Sequence, residues 1–169
     1  ASPLLYAPQE LYLLPFDTLD ERIKVIGRAA GLDGGLIAAV GNLRGDAGAL
    51  VASWEANKVN TRHAYRMLVE WTAPRLFCDK TPGYAFDSTT LSRAERLMAS
   101  PRYLSTVRHP LACIESWVEL ERKNLILQNR DASNVTWTDI EAKYRAFNGN
   151  IIDFLKIIPV HRRMSMRYE

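Results

Sequence analysis

The chain has 169 residues, 47% of them hydrophobic and 24% charged, with a net charge of +3. This describes one globular domain able to bury roughly 70% of its unfolded surface, with too little positive charge to argue for a nucleic-acid partner. No apolar run approaches the ~18 residues of a membrane span, no export signal opens the chain, and two cysteines, Cys78 and Cys113, give neither a disulfide framework nor metal spacing. A reduced, cytoplasmic, metal-free protein without membrane contact is expected.

In chain order, Thr18-Leu-Asp-Glu21 reads as a capping box opening a helix whose apolar face is Leu19, Ile23 and Ile26, and which Gly31 ends. After the break Asp33-Gly34-Gly35 comes a short helix, Leu36 to Leu43. A third starts at Gly45-Asp46 with Leu50, Val51 and Trp54 inward, and Asn60-Thr61 caps a fourth that runs to Ala73, where Pro74 stops it. The first half is thus mostly helical, without repeats or low-complexity linkers.

The second half alternates. Arg75 to Asp79 is expected as a strand, Thr90 to Ala99 as a helix and Tyr103 to Val107 as a strand. Pro110 opens a helix to about Asn124, and a polar loop covers Gln128 to Thr136. Thr138-Asp-Ile-Glu141 reads as a second capping box for a helix reaching Ile158, Pro159 breaks it, and Arg163 to Tyr168 is a strand. Strands alternating with helices predict an α/β fold with a parallel sheet. The expected division is a helical region over 17–73 and a sheet region over 75–169 within one domain.

The stretch Val107-Arg-His-Pro-Leu-Ala-Cys-Ile-Glu-Ser-Trp117 places Arg108 where a strand ends and Ser116 eight residues later, on the following helix. Open α/β sheets bind ligands at the carboxyl ends of their strands. Arg108 would present a planar fork of donors to a phosphate and Ser116 a further hydroxyl, so a phosphorylated nucleotide is the expected ligand. The plainer alternatives are an arginine paired with a carboxylate and a serine that merely packs.

Two further segments accompany this one: Phe77-Cys-Asp-Lys-Thr-Pro-Gly-Tyr84 upstream and Met166-Arg-Tyr-Glu169 downstream. Together, in this order, they resemble the sulfotransferases that use 3′-phosphoadenosine 5′-phosphosulfate (PAPS). V-R-H-P…E-S-W is similar to the family's 3′-phosphate-binding motif, D-K-T-P-G-Y to its lysine-containing loop, and M-R-Y-E to the start of a late strand. Tyr6 to Phe16 resembles the segment that follows the family's phosphosulfate loop. The nearest flavour is that of bacterial sulfotransferase domains in polyketide synthases, which act on a β-hydroxyl of a carrier-bound acyl chain. The phosphosulfate loop R-S-G-[ST]-[ST] and the late glycine-containing loop over the nucleotide are absent from these residues, so the chain resembles the middle of such a domain. The sheet would then have an open edge, to be covered by a partner chain or neighbouring segment.

The resemblance implies PAPS as co-substrate, no metal, and a hydroxyl-bearing small molecule or carrier-bound acyl chain as acceptor. Glu10 is the implied catalytic base, helped by burial among Leu11, Tyr12, Leu13 and Leu14; otherwise Pro8 and Glu10 simply open a short helix. Lys80 is the implied electrostatic clamp on the transferred group, against the alternative of a surface lysine. Arg108 and Ser116 are the implied 3′-phosphate anchors. His63 is a second base candidate on chemical grounds, although a polar residue at a capped helix start explains it better. His109 reads as a turn residue and His161 carries no signal. Trp117 and Tyr84 read as core aromatics or as walls of a nucleotide site. Arg44, Arg62, Arg66 and Lys123 are available to an acidic carrier surface. The competing reading is a non-catalytic binding module derived from a sulfotransferase. A nucleotide kinase-like protein would need G-x-x-x-x-G-K-[ST], which these residues lack.

Overall fold

A computed structural model describes residues 3–27 and 32–168. These form two compact units, Ala1–Tyr84 with Thr89–Ala99, and Ala85–Ser88 with Ser100–Glu169.

The first unit holds a short parallel pair, β1 (Leu5–Tyr6) and β2 (Leu76–Phe77), in the register Leu5↔Leu76 and Tyr6↔Phe77. Between them run α1 (Leu19–Ile26), α2 (Gly34–Arg44), α3 (Ala47–Ala56) and α4 (Thr61–Thr72). β1 escapes sequence reading because a two-residue strand has no periodicity to detect. The expected strand over 75–79 keeps only Leu76–Phe77 in the ladder.

The capping box at Thr18 forms, with its side chain accepting from the Glu21 backbone N–H. α1 ends at Ile26, with Gly27 at φ 62°; the expected terminator, Gly31, lies outside the described residues. Asn60 caps α4 by accepting from the His63 backbone N–H. The two caps sit side by side, joined by an antiparallel bridge between Thr18 and Asn60 and by the Leu19 N–H to Val59 carbonyl bond at 2.9 Å.

α4 packs on α2 and buries Ala64, Tyr65 and Leu68, while Leu36, Ala39 and Val40 of α2, Leu19 of α1 and Val51 of α3 are buried as well. Each fully buried Leu of this set contributes ~1.5–3 kcal/mol. Val51 and Trp54 face inward as expected, whereas Leu50 is half-buried. Trp54 stacks on Trp71 at 5.7 Å. After β2 a 3₁₀ turn spans Pro82–Phe86, and α5 follows as Ser88–Leu97, about two residues earlier than expected.

The second unit contains β3 (Tyr103–Val107), α6 (Pro110–Leu127), α7 (Trp137–Ile157) and β4 (Arg163–Arg167). β3 and β4 pair in parallel along all five residues, from Tyr103↔Arg163 to Val107↔Arg167. Pro110 opens α6, where its missing N–H costs no helical bond. α7 starts one residue before the expected box: Thr136 is the cap, its hydroxyl accepting from the Asp139 N–H at 3.1 Å. Thr136-x-x-Asp139 competes with Thr138-x-x-Glu141 and starts the helix two residues earlier.

Ile114, Val118 and Ile140 make the core of this unit, with Trp117, Val135 and Tyr144 around them. Trp117 joins Phe86 and Phe147 in an aromatic cluster at 5.7 and 6.0 Å, so it serves packing. Tyr103 packs edge-on to Phe154 at 4.9 Å. Among the described residues, no helix is long and apolar enough to cross a membrane.

Candidate functional site

A parallel pair sends both of its strands out at one end. Beyond β1 and β2 the chain therefore delivers Glu10 and Lys80, four and three residues past the strands, to the same place. The Lys80 ammonium donates to Glu10 Oε1 at 3.2 Å across 70 residues of sequence.

The run from Gln9 to Leu14 forms no helix, which removes the helix-opening reading of Pro8 and Glu10. Within it Leu11, Leu13 and Leu14 are buried, while Glu10 and Tyr12 are half-buried. Glu10 is thus not enclosed by its leucine neighbours; its side chain keeps 35% of its surface.

Backbone that joins no sheet must find other partners, and side chains supply them here. The Leu11 N–H donates to Thr81 Oγ1 at 3.1 Å, and the Leu13 N–H to the Tyr84 hydroxyl at 2.9 Å. Arg22, fully buried on α1, gives Nε to the Leu11 carbonyl at 3.0 Å and Nη1 to Asp33 at 2.7 Å. Arg93 holds the Leu14 and Phe16 carbonyls at 2.6 and 2.8 Å.

Asp79 organises the opposite side of the motif. Its Oδ2 accepts from the hydroxyls of Tyr65 and Tyr84 at 2.5 and 2.9 Å, and its Oδ1 from Thr81 at 3.1 Å. Burial raises the Asp79 carboxyl above the usual aspartate range, with the three hydroxyls pulling the other way. Tyr65 and Tyr84 are pushed well up by burial and by that carboxylate, and stay protonated donors. In D-K-T-P-G-Y, then, Asp79, Thr81 and Tyr84 face inward and clamp the Glu10 segment, while Lys80 points outward to Glu10.

Tyr12 completes the group. Its hydroxyl donates to Glu10 Oε2 at 2.8 Å, so each Glu10 carboxylate oxygen has a partner. Burial, followed by the Glu10 hydrogen bond, raises the phenol to about 12. Gln9, Glu10, Tyr12, Leu32, Gly35 and Lys80 line an open cleft of about 260 Å³. Gly35 is required there: a Cβ on it would stand 2.0 Å from the Glu10 carbonyl oxygen. The cleft joins a carboxylate, an ammonium and a phenol. Such a set can accept a proton and stabilise an anion within one small volume.

His63 stands on the first turn of α4, half-buried, and is not among the cleft-lining residues. Its Nδ1 accepts from Arg66 at 2.9 Å, since a guanidinium can only donate. Arg44 lies over Trp71, Arg62 reaches the Arg96 carbonyl and Arg66 also pairs with Glu70, so all three have partners within the first unit. Cys78 and Cys113 are half-buried free thiols.

In the second unit, Arg108 follows β3 directly and Ser116 lies on α6, both exposed. Among the described residues Arg108 takes no hydrogen bond or ion pair, in contrast to the carboxylate pairing that a strand-end arginine often makes. Glu169, the last residue of M-R-Y-E, lies outside the described residues. A cavity of about 570 Å³ beside α6 and α7 includes none of the expected site residues. No group of three His, Cys, Asp or Glu among the described residues is placed to hold a metal.

Sequence reading missed Tyr12, Arg22, Gly35, Asp79 and Thr81. One of them left a signal: an arginine within the Leu19-Ile23-Ile26 face.

No protein-family model matches the chain, and no curated protein does. Two solved structures do. A sulfotransferase domain from the curacin biosynthetic pathway is 34% identical over 95% of this chain, with a TM-score of 0.81. A sulfotransferase domain from the Synechococcus PCC 7002 olefin synthase is 30% identical over 99% of it, with a TM-score of 0.87. The chain spans 57% and 58% of those two structures. With likeness in sequence and in fold along nearly all of its residues, this chain has the fold of these sulfotransferase domains.

Proposed function

We propose that this chain contributes to sulfuryl transfer from PAPS to a hydroxyl acceptor, with Glu10 as base and Lys80 as electrostatic clamp. The observation that carries the reading is the meeting of Glu10 and Lys80 in one cleft at the carboxyl ends of a parallel pair. Ligands of open parallel sheets bind at that end. Arg108, exposed and without a hydrogen bond or ion pair among the described residues, supports a role, with Ser116, as anchor of the nucleotide's 3′-phosphate.

PAPS supplies the sulfuryl group and a phosphate leaving group. The acceptor oxygen bonds to sulfur as the bond from sulfur to the phosphate oxygen breaks. Glu10 takes the acceptor's proton as its oxygen attacks. Lys80 moves from Glu10 to the oxygens on which negative charge builds. Their resting ion pair is 62% exposed at the lysine side chain. An exposed pair of this kind is worth about 0–1 kcal/mol, so exchanging it for a doubly anionic partner is favourable.

The acceptor we propose is a β-hydroxyacyl chain on a carrier protein, in keeping with neighbours from a biosynthetic pathway and an olefin synthase. The test is sulfation of a β-hydroxyacyl thioester in the presence of PAPS, read by mass spectrometry, for the wild type, Glu10→Gln, Lys80→Met and His63→Gln. Loss of product in the first two variants, with His63→Gln active, is expected. Loss in His63→Gln with Glu10→Gln active would move the base to His63. A chain that binds 3′-phosphoadenosine 5′-phosphate and makes no product would instead be a binding module.

A further inference from the structure

Tyr12 has φ 50°, in the left-handed region that bulky L-residues enter only when their surroundings demand it. The demand is visible on both sides. Leu11 is held through its N–H by Thr81 and through its carbonyl by Arg22, and Leu13 through its N–H by Tyr84. The backbone between those clamps has little choice, and Tyr12 comes to line the cleft beside Glu10.

Gly83 makes room for that ring. A Cβ at residue 83 would lie 3.3 Å from Tyr12 Cε1, tighter than ordinary van der Waals contact. The phenol then ends 2.8 Å from Glu10 Oε2. With its ionisation raised to about 12, the hydroxyl is a permanent donor at neutral pH.

We propose that Tyr12 is a positioning residue for Glu10. It pins one carboxylate oxygen so that the other, now facing Lys80, is presented to the acceptor hydroxyl once the lysine leaves. This role rests on Glu10 being the base. Without the phenol the carboxylate rotates about its last side-chain bond and spends less time in the attacking geometry. The strained backbone is the local cost of that placement.

The test is a double-mutant cycle on the full chain: wild type, Tyr12→Phe, Glu10→Gln and the double variant. Turnover with PAPS and a β-hydroxyacyl thioester is read as kcat and KM separately. Tyrosine labelled with carbon-13 at Cζ reports the Tyr12 phenol directly. Tyr12→Phe is expected to lower kcat about tenfold, the value of one hydrogen bond to a charged group, with both KM values changed less than about twofold. In the Glu10→Gln background it should cost nothing more. Glu10→Gln should also move the Tyr12 Cζ resonance and bring its alkaline transition down. Equal losses in both backgrounds would overturn the positioning role while leaving Glu10 its own. Full activity of Glu10→Gln, or an inactive wild type, would instead overturn the proposed function. A Tyr12 resonance indifferent to Glu10→Gln would overturn the coupling whatever the activity.

Discussion

Adjacent glycines at the start of α2 offer a matched pair of substitutions with opposite expected signs. A Cβ on Gly35 would lie 2.0 Å from the Glu10 carbonyl oxygen and 2.8 Å from its carbon, whereas one on Gly34 meets nothing within 4 Å. Ordinary contact begins near 3.4 Å, so Gly35→Ala requires the two backbones to part by about 1.4 Å, the difference between 3.4 and 2.0 Å. The Glu10 segment is fastened by Thr81, Tyr84 and Arg22 and cannot move away freely.

Overpacking against fixed backbone costs ~1–3 kcal/mol, partly offset by the ~0.5–1 kcal/mol by which alanine exceeds glycine within a helix. Gly34→Ala should collect the helical gain alone. In urea unfolding at neutral pH, Gly35→Ala should therefore fall about 1–2 kcal/mol below the wild type, while Gly34→Ala should equal or exceed it. The displacement should also separate Glu10 from Lys80 and lower turnover in Gly35→Ala only. Equal stabilities for the two variants would refute the close approach of α2 to the Glu10 backbone, and with it the geometry of the cleft.

Asp79 gives a pH prediction. Burial raises its folded-state pKa above the unfolded value near 3.9, so the folded form binds the proton more tightly. The stability this contributes is full below that unfolded value and is lost as pH rises through the raised one. The unfolding free energy of the wild type minus that of Asp79→Asn should thus decline as pH increases from about 4 towards neutrality; a rise over that interval would contradict the assignment. Arg22→Met removes a fully buried cation that holds both Asp33 and the Leu11 carbonyl. A loss of about 3 kcal/mol in urea unfolding is expected, and a loss under about 1 kcal/mol would show that other groups carry the Leu11 segment.

Local signals are legible in the sequence wherever a side chain acts on its own neighbourhood. The Thr18 box, the Asn60 cap and Pro110 place three helix starts, and the run Tyr103–Val107 places a strand at its full length. The failures are places where distant residues decide. β1 is two residues long and exists only because Leu76 and Phe77 lie beside it. β2 ends early because its continuation supplies the inward-facing Asp79. Tyr12 has no sequence mark of its left-handed backbone, which comes from clamps contributed by residues 81, 84 and 22. Glu10 and Lys80 carry a signal only through family resemblance; neither spacing nor composition indicates that they meet. Burial of Glu10 does not follow from its leucine neighbours, which are buried while the Glu10 side chain keeps 35% of its surface.

The central claim is that this chain holds a site for the nucleotide of PAPS, with Arg108 as an anchor. Calorimetric titration with 3′-phosphoadenosine 5′-phosphate, for the wild type and Arg108→Ala, tests it most directly. A hydrogen bond to a charged phosphate is worth ~1.5–3 kcal/mol, so micromolar binding weakened more than tenfold by the substitution is the predicted result. Identical affinities, or a well-folded wild type that binds no nucleotide, would contradict it.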